Sequence, residues 1–362
     1  MSTVRNNHDS LGFTDMVELI LAVGLAGNSV HVEGHMGSGK SALHGAVCDR
    51  LKDTHIGVAL DATQMVDQGD LVMMKFKTID GVEVVGPVPQ ERLGLHFNKP
   101  VVLFIDEVTK NRALIPPLLQ VMNEHSLLGI KLPEGSIVMS AGNLGAEGVG
   151  DVFPPHACNR VVISELRNPT ALEWIESYAI PNDLHPAITA TAHHFPMMFD
   201  SFKDVEDPNT NPYIMHPKVK RRSFVTARSM ARASSVMYAT ENLPSHVRMH
   251  ALCGTVGEAA AAEIMTVARL DAQIPVWDRI VSDPMLAPIP DSPVAQCMVV
   301  MRAVKMVTHV TADAWMTYLC RLNKETQALF ARMMLKSSRS AEVTVNGKFA
   351  DWLAANQYLF GG

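Results

Sequence analysis

The sequence predicts an α/β fold with a five-stranded, mostly parallel sheet, followed by a helical region. Three observations support this prediction. Five short apolar runs, separated by stretches of helical periodicity, are typical of covered parallel strands. A glycine-rich loop joins the first run to a helix, as in phosphate-binding folds. After about Pro181 the strand-like runs give way to amphipathic helices, which indicates a change of architecture.

Length and composition bound the class of protein. The chain has 362 residues, 47% hydrophobic and 19% charged, which suits two or three globular domains. No apolar run approaches the roughly 18 residues of a membrane span, and the polar N-terminal sequence lacks the core of a secretory signal. We therefore expect no membrane insertion and a cytoplasmic location. A net charge of −6 gives no general attraction to nucleic acid, and the scattered cysteines suit reduced thiols.

The first elements follow from apolar spacing. Helices are predicted over Thr14–Gly24 and Ser41–Leu51, where apolar residues recur on one face. Short apolar runs predict the five strands of the sheet. These runs begin at Val30 and continue at Ile56–Leu60, Val101–Ile105, Ile137–Met139 and Val161–Ile163.

The loop after the first strand reads G-H-M-G-S-G-K-S and fits the pattern G-x-x-x-x-G-K-[ST] from Gly34 to Ser41. Its backbone N–H groups can surround a phosphate at the start of the next helix, while Lys40 reaches the β- and γ-phosphates. The Ser41 hydroxyl is placed to bind Mg²⁺. A flexible turn with a solvated lysine is the alternative. The residues expected to contact the nucleotide are Gly34, His35, Met36, Gly37, Ser38, Gly39, Lys40, Ser41 and Ala42.

Between the second and third strands, the segment Met73–Val85 predicts a β-hairpin. Two β-rich stretches flank Asp80-Gly81, a strong signal for a two-residue turn. The sheet does not require such an insertion. The hairpin is either a solvent-exposed insertion without a role or an element that contacts another molecule.

Polar residues follow the later strands at the edge where open α/β sheets bind ligands. Asp106 and Glu107 end the third strand, where Asp106 would support Mg²⁺ and Glu107 would polarise the attacking water. Asn143 ends the fourth strand and could orient that water. Arg160 precedes the fifth and could supply a cation to a neighbouring subunit. The simpler interpretations are a solvated strand end, a turn residue and a surface salt bridge.

The remainder predicts a connector and helices. A proline- and histidine-rich stretch at Leu184–Pro217 suggests a domain boundary, and His193 and His194 there lack partners at metal-ligand spacing. The division expected is 1–180, 181–286 and 287–362. A local basic cluster comprises Lys218, Lys220, Arg221, Arg222, Arg228 and Arg232. Helices are predicted over Ser223–Tyr238, Ser245–Leu270, Ala295–Val310, Ala312–Leu329 and Lys348–Leu359.

Taken together, these ordered motifs resemble the AAA+ ATPases, and within them the MoxR-like group. The matching elements are G-H-M-G-S-G-K-S, the hairpin, L-F-I-D-E, L-L-Q-V-M-N-E-H, S-A-G-N and C-N-R, over about Leu11–Arg232. The resemblance implies a P-loop AAA+ core with a hairpin facing the pore of a ring, ATP bound between subunits, an α-helical lid and a helical C-terminal extension.

By position, the resemblance implies that Asn143 is the first sensor, Arg160 the trans-acting arginine finger and Arg228 the second sensor. Other arginines compete for the last two roles: Arg167, Arg221, Arg222 and Arg232. The sequence departs from the MoxR-like pattern after the acidic pair. Val108-Thr109-Lys110 stands where Asn-Arg or Asn-Lys is usual, which leaves the role of Thr109 open.

The resemblance implies a Mg²⁺-dependent ATPase that forms a homo-oligomeric ring, expected to be a hexamer, and remodels or activates a protein. In this family the partner is often a protein with a von Willebrand factor A domain. A nucleic-acid motor or loader is the alternative, disfavoured by the acidic net charge. A nucleotide-controlled scaffold with slow hydrolysis is a third.

Overall fold

A computed structural model describes residues 10–145, 153 and 155–359. The chain divides between Asn168 and Pro169 into two compact units. The polar N-terminal sequence and the end of the expected C-terminal extension lie outside the described residues. Within the described parts of the chain, no helix is long and apolar enough to cross a membrane.

The first unit contains the strands. In chain order these are β1 (Val30–Gly34), β2 (Ile56–Asp61), β3 (Val72–Ile79), β4 (Val82–Pro89), β5 (Val101–Asp106), β6 (Ser126–Leu127), β7 (Ile130–Lys131), β8 (Ile137–Asn143) and β9 (Val162–Leu166). Five of them form one sheet in the order β2-β5-β8-β1-β9, with every neighbouring pair parallel. The sheet is thus wholly parallel, where the sequence predicted a mostly parallel one. This strand order and the loop after β1 confirm the predicted α/β fold, with its five-stranded sheet and its P-loop.

Helices cover both faces of this sheet, which is why the strand β5 is apolar from Val101 to Ile105. The helices are α1 (Phe13–Leu25), α2 (Lys40–Leu51), α3 (Ile115–Glu124) and α4 (Pro155–Cys158). Alternate side chains of β5 enter two different clusters: Leu103 packs in the cluster that contains Leu118 of α3, and Phe104 in the cluster that contains Ile20 of α1. Each fully buried aliphatic side chain contributes about 1.5–3 kcal/mol.

Two antiparallel hairpins interrupt the α/β pattern. The long one pairs β3 with β4 and turns at Asp80 and Gly81, whose φ angles of 51° and 80° identify a type I′ turn. The sequence predicted this hairpin. The short one pairs β6 with β7 around Leu128 and Gly129, with similar φ angles of 47° and 82°.

The second unit is helical. Its helices are α5 (Ala171–Trp174), α6 (Pro186–His194), α7 (Ala227–Ala239), α8 (Ser245–Val256), α9 (Glu258–Arg269), α10 (Trp277–Ser282), α11 (Pro293–Met306), α12 (Ala312–Leu319), α13 (Lys324–Lys336), α14 (Ala341–Thr344) and α15 (Gly347–Ala355). One apolar core runs from Ala171 to Trp352, and α6 packs on both α9 and α11. Helices from both sides of residue 286 therefore share this core. The division into 1–180, 181–286 and 287–362 remains a prediction.

Two predicted helices are interrupted. The apolar spacing predicts one continuous helix over Ser245–Leu270, but α8 ends before Gly257, whose φ of 87° is strained for any other residue. A Cβ atom at Gly257 would lie 2.6 Å from the carbonyl oxygen of Ser223, so close packing also requires glycine there. Ala312–Leu329 likewise divides, because the Asn323 side chain caps a new helix by accepting from the Thr326 N–H at 2.8 Å.

Candidate functional site

The loop between β1 and α2 has the backbone conformation that a phosphate cradle needs. Gly37 and Gly39 adopt φ angles of 70° and 104°, in the left-handed region that side chains disfavour. At Gly34, a Cβ atom would lie 2.9 Å from the carbonyl oxygen of Leu166. Gly39 precedes α2 and has no side chain to cap it. The first N–H groups of α2 therefore lack a side-chain acceptor from the cap position, which suits anion binding.

Lys40 is nearly buried in this loop, and its charge is held by oxygen atoms. The Nζ atom donates to the carbonyl oxygens of Gly34 and His35, each at 2.8 Å, and to Oδ1 of Asn143 at 2.9 Å. The last contact joins the loop to the end of β8. The lysine is thus already positioned over the loop, with partners that phosphate oxygens could replace.

Asp106 and Ser41 provide oxygen atoms suited to a hard divalent cation. The Ser41 hydroxyl donates to Oδ2 of Asp106 at 3.0 Å. Burial raises the pKa of Asp106, the Ser41 hydrogen bond opposes that rise, and the charges of Glu107 and Asp61 add to it. A bound cation would favour the ionised form again. Among the described residues, no cluster of three or more His, Cys, Asp or Glu could hold a metal alone. The residues fit Mg²⁺, which commonly takes further ligands from phosphate and water.

Glu107 lies at the start of a strained turn, with φ of 54°, a conformation that costs a non-glycine residue on the order of 1–3 kcal/mol. Its N–H donates to Oδ1 of Asp106 at 3.0 Å. The Nδ2 atom of Asn143 donates to both carboxylate oxygens, at 3.0 and 3.1 Å. The Nζ atom of Lys110 lies 3.3 Å from Oε2. The Glu107 carboxylate is therefore held from two sides.

Asn143 is the centre of this arrangement. Its Oδ1 accepts from Lys40 and its Nδ2 donates to Glu107, so one amide connects the lysine of the loop with the carboxylate after β5. The parallel register explains the proximity, because β8 pairs with β5 on one side and β1 on the other. Six of the predicted residues come together here: Gly34, Lys40, Ser41, Asp106, Glu107 and Asn143.

Two of the predicted arginines, Arg160 and Arg228, are exposed. Arg160 is exposed in the turn before β9, where its N–H donates to the Ala157 carbonyl at 2.9 Å. Arg228 is exposed in the first turn of α7, in the helical unit. Arg221 is committed elsewhere, since its guanidinium donates to the carbonyl oxygens of Ile214 and Pro208. The finger and second-sensor roles of the arginines remain predictions.

His31 is a residue of the site that the sequence interpretation missed. It is 1% exposed, stacks on Phe153 with ring centroids 4.3 Å apart, and shares a 2.8 Å hydrogen bond between Nδ1 and the Ser140 hydroxyl. Burial, with a smaller contribution from Lys40, lowers its pKa from 6.5 to about 4, so the ring is neutral at physiological pH. Its Nε2 has no hydrogen-bond partner among the residues described. The sequence did contain an indication of this residue, because a histidine interrupts the apolar run V-H-V of the first strand.

No family model matches the chain, and no curated protein matches it. Solved structures do show similarity. A mutant of RuvB from Thermotoga maritima is 16% identical over 75% of this chain and 76% of its own, with a TM-score of 0.36. NtrX from Brucella abortus is 14% identical over 96% and 68%, with a TM-score of 0.40. PCH-2 from C. elegans is 10% identical over 72% and 68%, with a TM-score of 0.32. Similarity at this level assigns no activity.

Proposed function

We propose that this chain is a Mg²⁺-dependent ATPase of the AAA+ type, similar to the MoxR-like group, that forms a ring and remodels or activates a protein partner. The bonded series Lys40–Asn143–Glu107, beside the Ser41–Asp106 pair, carries the proposal. A phosphate cradle and a fixed carboxylate lie together at the carboxyl end of a parallel sheet. This is the combination that phosphoryl transfer to water needs.

ATP binding would use the residues of the loop. Lys40 would exchange its carbonyl partners for phosphate oxygens, and the N–H groups at the start of α2 would donate to the same anion. Ser41 and Asp106 would hold Mg²⁺, which neutralises the charge that develops on the phosphates. Burial and the charges of neighbouring carboxylates raise the pKa of Asp106, and a bound cation would favour its ionised form.

Hydrolysis would depend on Glu107 as the group that polarises water. The Asn143 amide and Lys110 fix the orientation of its carboxylate, so little reorganisation is needed when water is activated. A general base of this kind contributes about 10²–10⁴-fold to the rate. ATP binding would draw Lys40 towards the γ-phosphate, while the Asn143 amide keeps its contact with Glu107.

The proposal of a ring depends on the roles assigned to the arginines. Arg160 is exposed at the margin of the sheet, as a finger directed at the ATP of a neighbouring subunit would need to be. Arg228, exposed on α7, is the choice for the second sensor, with Arg167, Arg222 and Arg232 as competitors. Hexameric assembly and a cytoplasmic location stay predictions from the sequence.

The β3–β4 hairpin is the surface proposed to contact the partner in the pore. Apolar side chains project from both of its faces, and Phe76 is 78% exposed. Exposed apolar surface of this kind is typical of protein–protein contact and favours a protein partner, such as one with a von Willebrand factor A domain. Lys75 and Lys77 on one face keep a nucleic-acid motor as the second candidate. A scaffold with slow hydrolysis remains the third.

A mixing experiment tests hydrolysis and the ring together. Glu107→Gln should bind ATP but turn it over about 10²-fold more slowly, because the amide cannot act as a base. Arg160→Ala should be similarly slow, because it lacks the cation donated across the interface. A mixture should recover turnover, since Glu107→Gln subunits still donate Arg160. With subunit exchange verified, no recovery at any ratio would count against a finger acting in trans. A parent chain without ATPase activity would refute the enzyme itself.

A further inference from the structure

The turn that begins at Glu107 is physically connected to the base of the long hairpin. Asn111, four residues after Glu107, donates from Nδ2 to the carbonyl oxygen of Met65 at 2.8 Å and to that of Val66 at 3.3 Å. Met65 and Val66 belong to the segment that leads from β2 into β3. One side chain therefore joins the candidate catalytic turn to the segment that carries the hairpin.

Asn111 is itself held in place by the turn. Its Oδ1 accepts from the Ala113 N–H at 3.1 Å, and its carbonyl oxygen accepts from the Leu114 N–H at 3.1 Å. Immediately before it, the Lys110 N–H donates to the carbonyl oxygen of Glu107 at 3.0 Å. A hydrogen-bonded turn therefore connects the backbone of Glu107 with that of Asn111.

Further hydrogen bonds hold the segments that connect the hairpin to the sheet. The carboxylate of Asp61, at the end of β2, accepts from the Thr63 N–H at 2.9 Å and the Gln64 amide at 3.1 Å. The carboxylate of Asp70 accepts from the Val66 N–H at 2.6 Å, and the Gln90 N–H donates to the Leu71 carbonyl at 2.8 Å. The base of the hairpin is therefore held by its own hydrogen bonds, and the Asn111 amide forms hydrogen bonds with it directly.

We propose that Asn111 is a positioning residue that couples the nucleotide state at Glu107 to the base of the β3–β4 hairpin. This inference rests on the proposed function and adds the regulation of that site. When a nucleotide changes the contacts of the turn that begins at Glu107, Asn111 transmits the change to the segment around Met65 and Val66. The hairpin then changes its position or exposure with each cycle.

A single substitution separates this contact from the turn itself. Asn111→Asp keeps the Oδ1 acceptor for the Ala113 N–H but loses the Nδ2 donor to Met65 and Val66. Asn111→Ala loses both. Asn28→Asp is the matched control, because the Asn28 side chain is exposed and donates to the nearby Ala26 carbonyl at 3.4 Å.

The measurement is hydrogen exchange of peptides covering residues 62–72, with and without a non-hydrolysable ATP analogue and Mg²⁺. We expect the analogue to change exchange in this segment of the parent chain and of Asn28→Asp. In Asn111→Asp the analogue should bind within about twofold of the parent affinity, and its effect on residues 62–72 should vanish. Without analogue, this variant should exchange about fivefold faster there, as expected for one lost hydrogen bond.

The outcomes are separable. A nucleotide-dependent change that persists in Asn111→Asp overturns the coupling, and so does a parent chain that binds the analogue without any change in residues 62–72. Absence of analogue binding by the parent, detected by calorimetry, instead refutes the proposed function and takes the coupling with it.

Discussion

At the carboxyl end of the central sheet, polar side chains from different strands bond to one another, whereas in the β3–β4 hairpin apolar side chains project into solvent. Asn143 and Glu107 illustrate the first region, and Phe76 and Ile79, which are 78% and 55% exposed, the second. The first region has the hydrogen-bonded geometry of the proposed nucleotide site. The second has the composition of a contact surface. Substitutions in the two regions should therefore affect different activities.

The largest effect should come from Asn143→Ala. It removes the donor to Glu107 and the acceptor of Lys40, so turnover should fall about 10- to 100-fold. Asn143→Asp is the informative companion, since it keeps an acceptor for Lys40 but places a carboxylate against that of Glu107. Steady-state ATPase assays should rank it at or below Asn143→Ala. Turnover at the parent level in Asn143→Ala would break the distinction between the two regions.

The next effect concerns stability. The pKa of His31 is about 4 in the folded chain and 6.5 as its ordinary value, so protonation favours unfolding. Stability from His31 is present above pH 6.5 and is lost as pH falls towards 4, by about 3 kcal/mol in all. His31→Gln should flatten this acid dependence in strands β1 and β8, measured by hydrogen exchange corrected for the intrinsic rate. An equal dependence in both chains would contradict the assignment.

The helical unit supplies a control for that measurement. All four tryptophans, Trp174, Trp277, Trp315 and Trp352, lie in it, so tryptophan fluorescence follows its unfolding alone. Burial, aided by Lys305, lowers the pKa of its His185 to about 4 as well. The acid dependence of the fluorescence transition should therefore be the same in the parent and in His31→Gln.

The smallest effect on basal turnover should come from the hairpin. Replacing Lys75–Val84 by a short Gly-Ser linker leaves Asp61, Asn111 and the site untouched, so basal hydrolysis and assembly should stay within about twofold. Stimulation by a von Willebrand factor A-domain partner should be lost. Gel filtration and ATPase assays measure both. A folded, linker-containing chain with a tenfold lower basal rate would show that the hairpin serves the nucleotide site. Full stimulation of this chain by the partner would show that the hairpin is not needed for partner contact.

Local patterns predicted much of the fold. The strands were predictable because β5 and β8 are buried on both faces and must be apolar, and the long hairpin because Asp80-Gly81 suits a type I′ turn. The short hairpin was missed, since β6 and β7 have only two residues each and show no alternation. The break at Gly257 depends on contact with Ser223, which no local pattern displays.

The site residues likewise fall into those that local motifs predicted and those that depend on tertiary contacts. Lys40, Ser41, Asp106 and Glu107 belong to contiguous motifs whose chemistry is evident from their residue types and spacing. His31 and Asn111 act through partners distant in the sequence, such as Ser140 for the first and Met65 for the second. Lys110 was noticed only as a departure from a family pattern, although its ammonium group contacts Glu107. Roles that depend on tertiary neighbours needed the structure.

The most direct test of the nucleotide site is calorimetric titration of Mg²⁺ and ATP into the parent, Lys40→Ala and Lys52→Ala chains. Lys52 is an exposed lysine just after the same helix and serves as the control. The parent and Lys52→Ala should bind with equal affinity, and Lys40→Ala about 100-fold more weakly, because a buried cation that faces the phosphates is gone. Equal binding by the parent and Lys40→Ala would contradict the assignment of this loop as the ATP site.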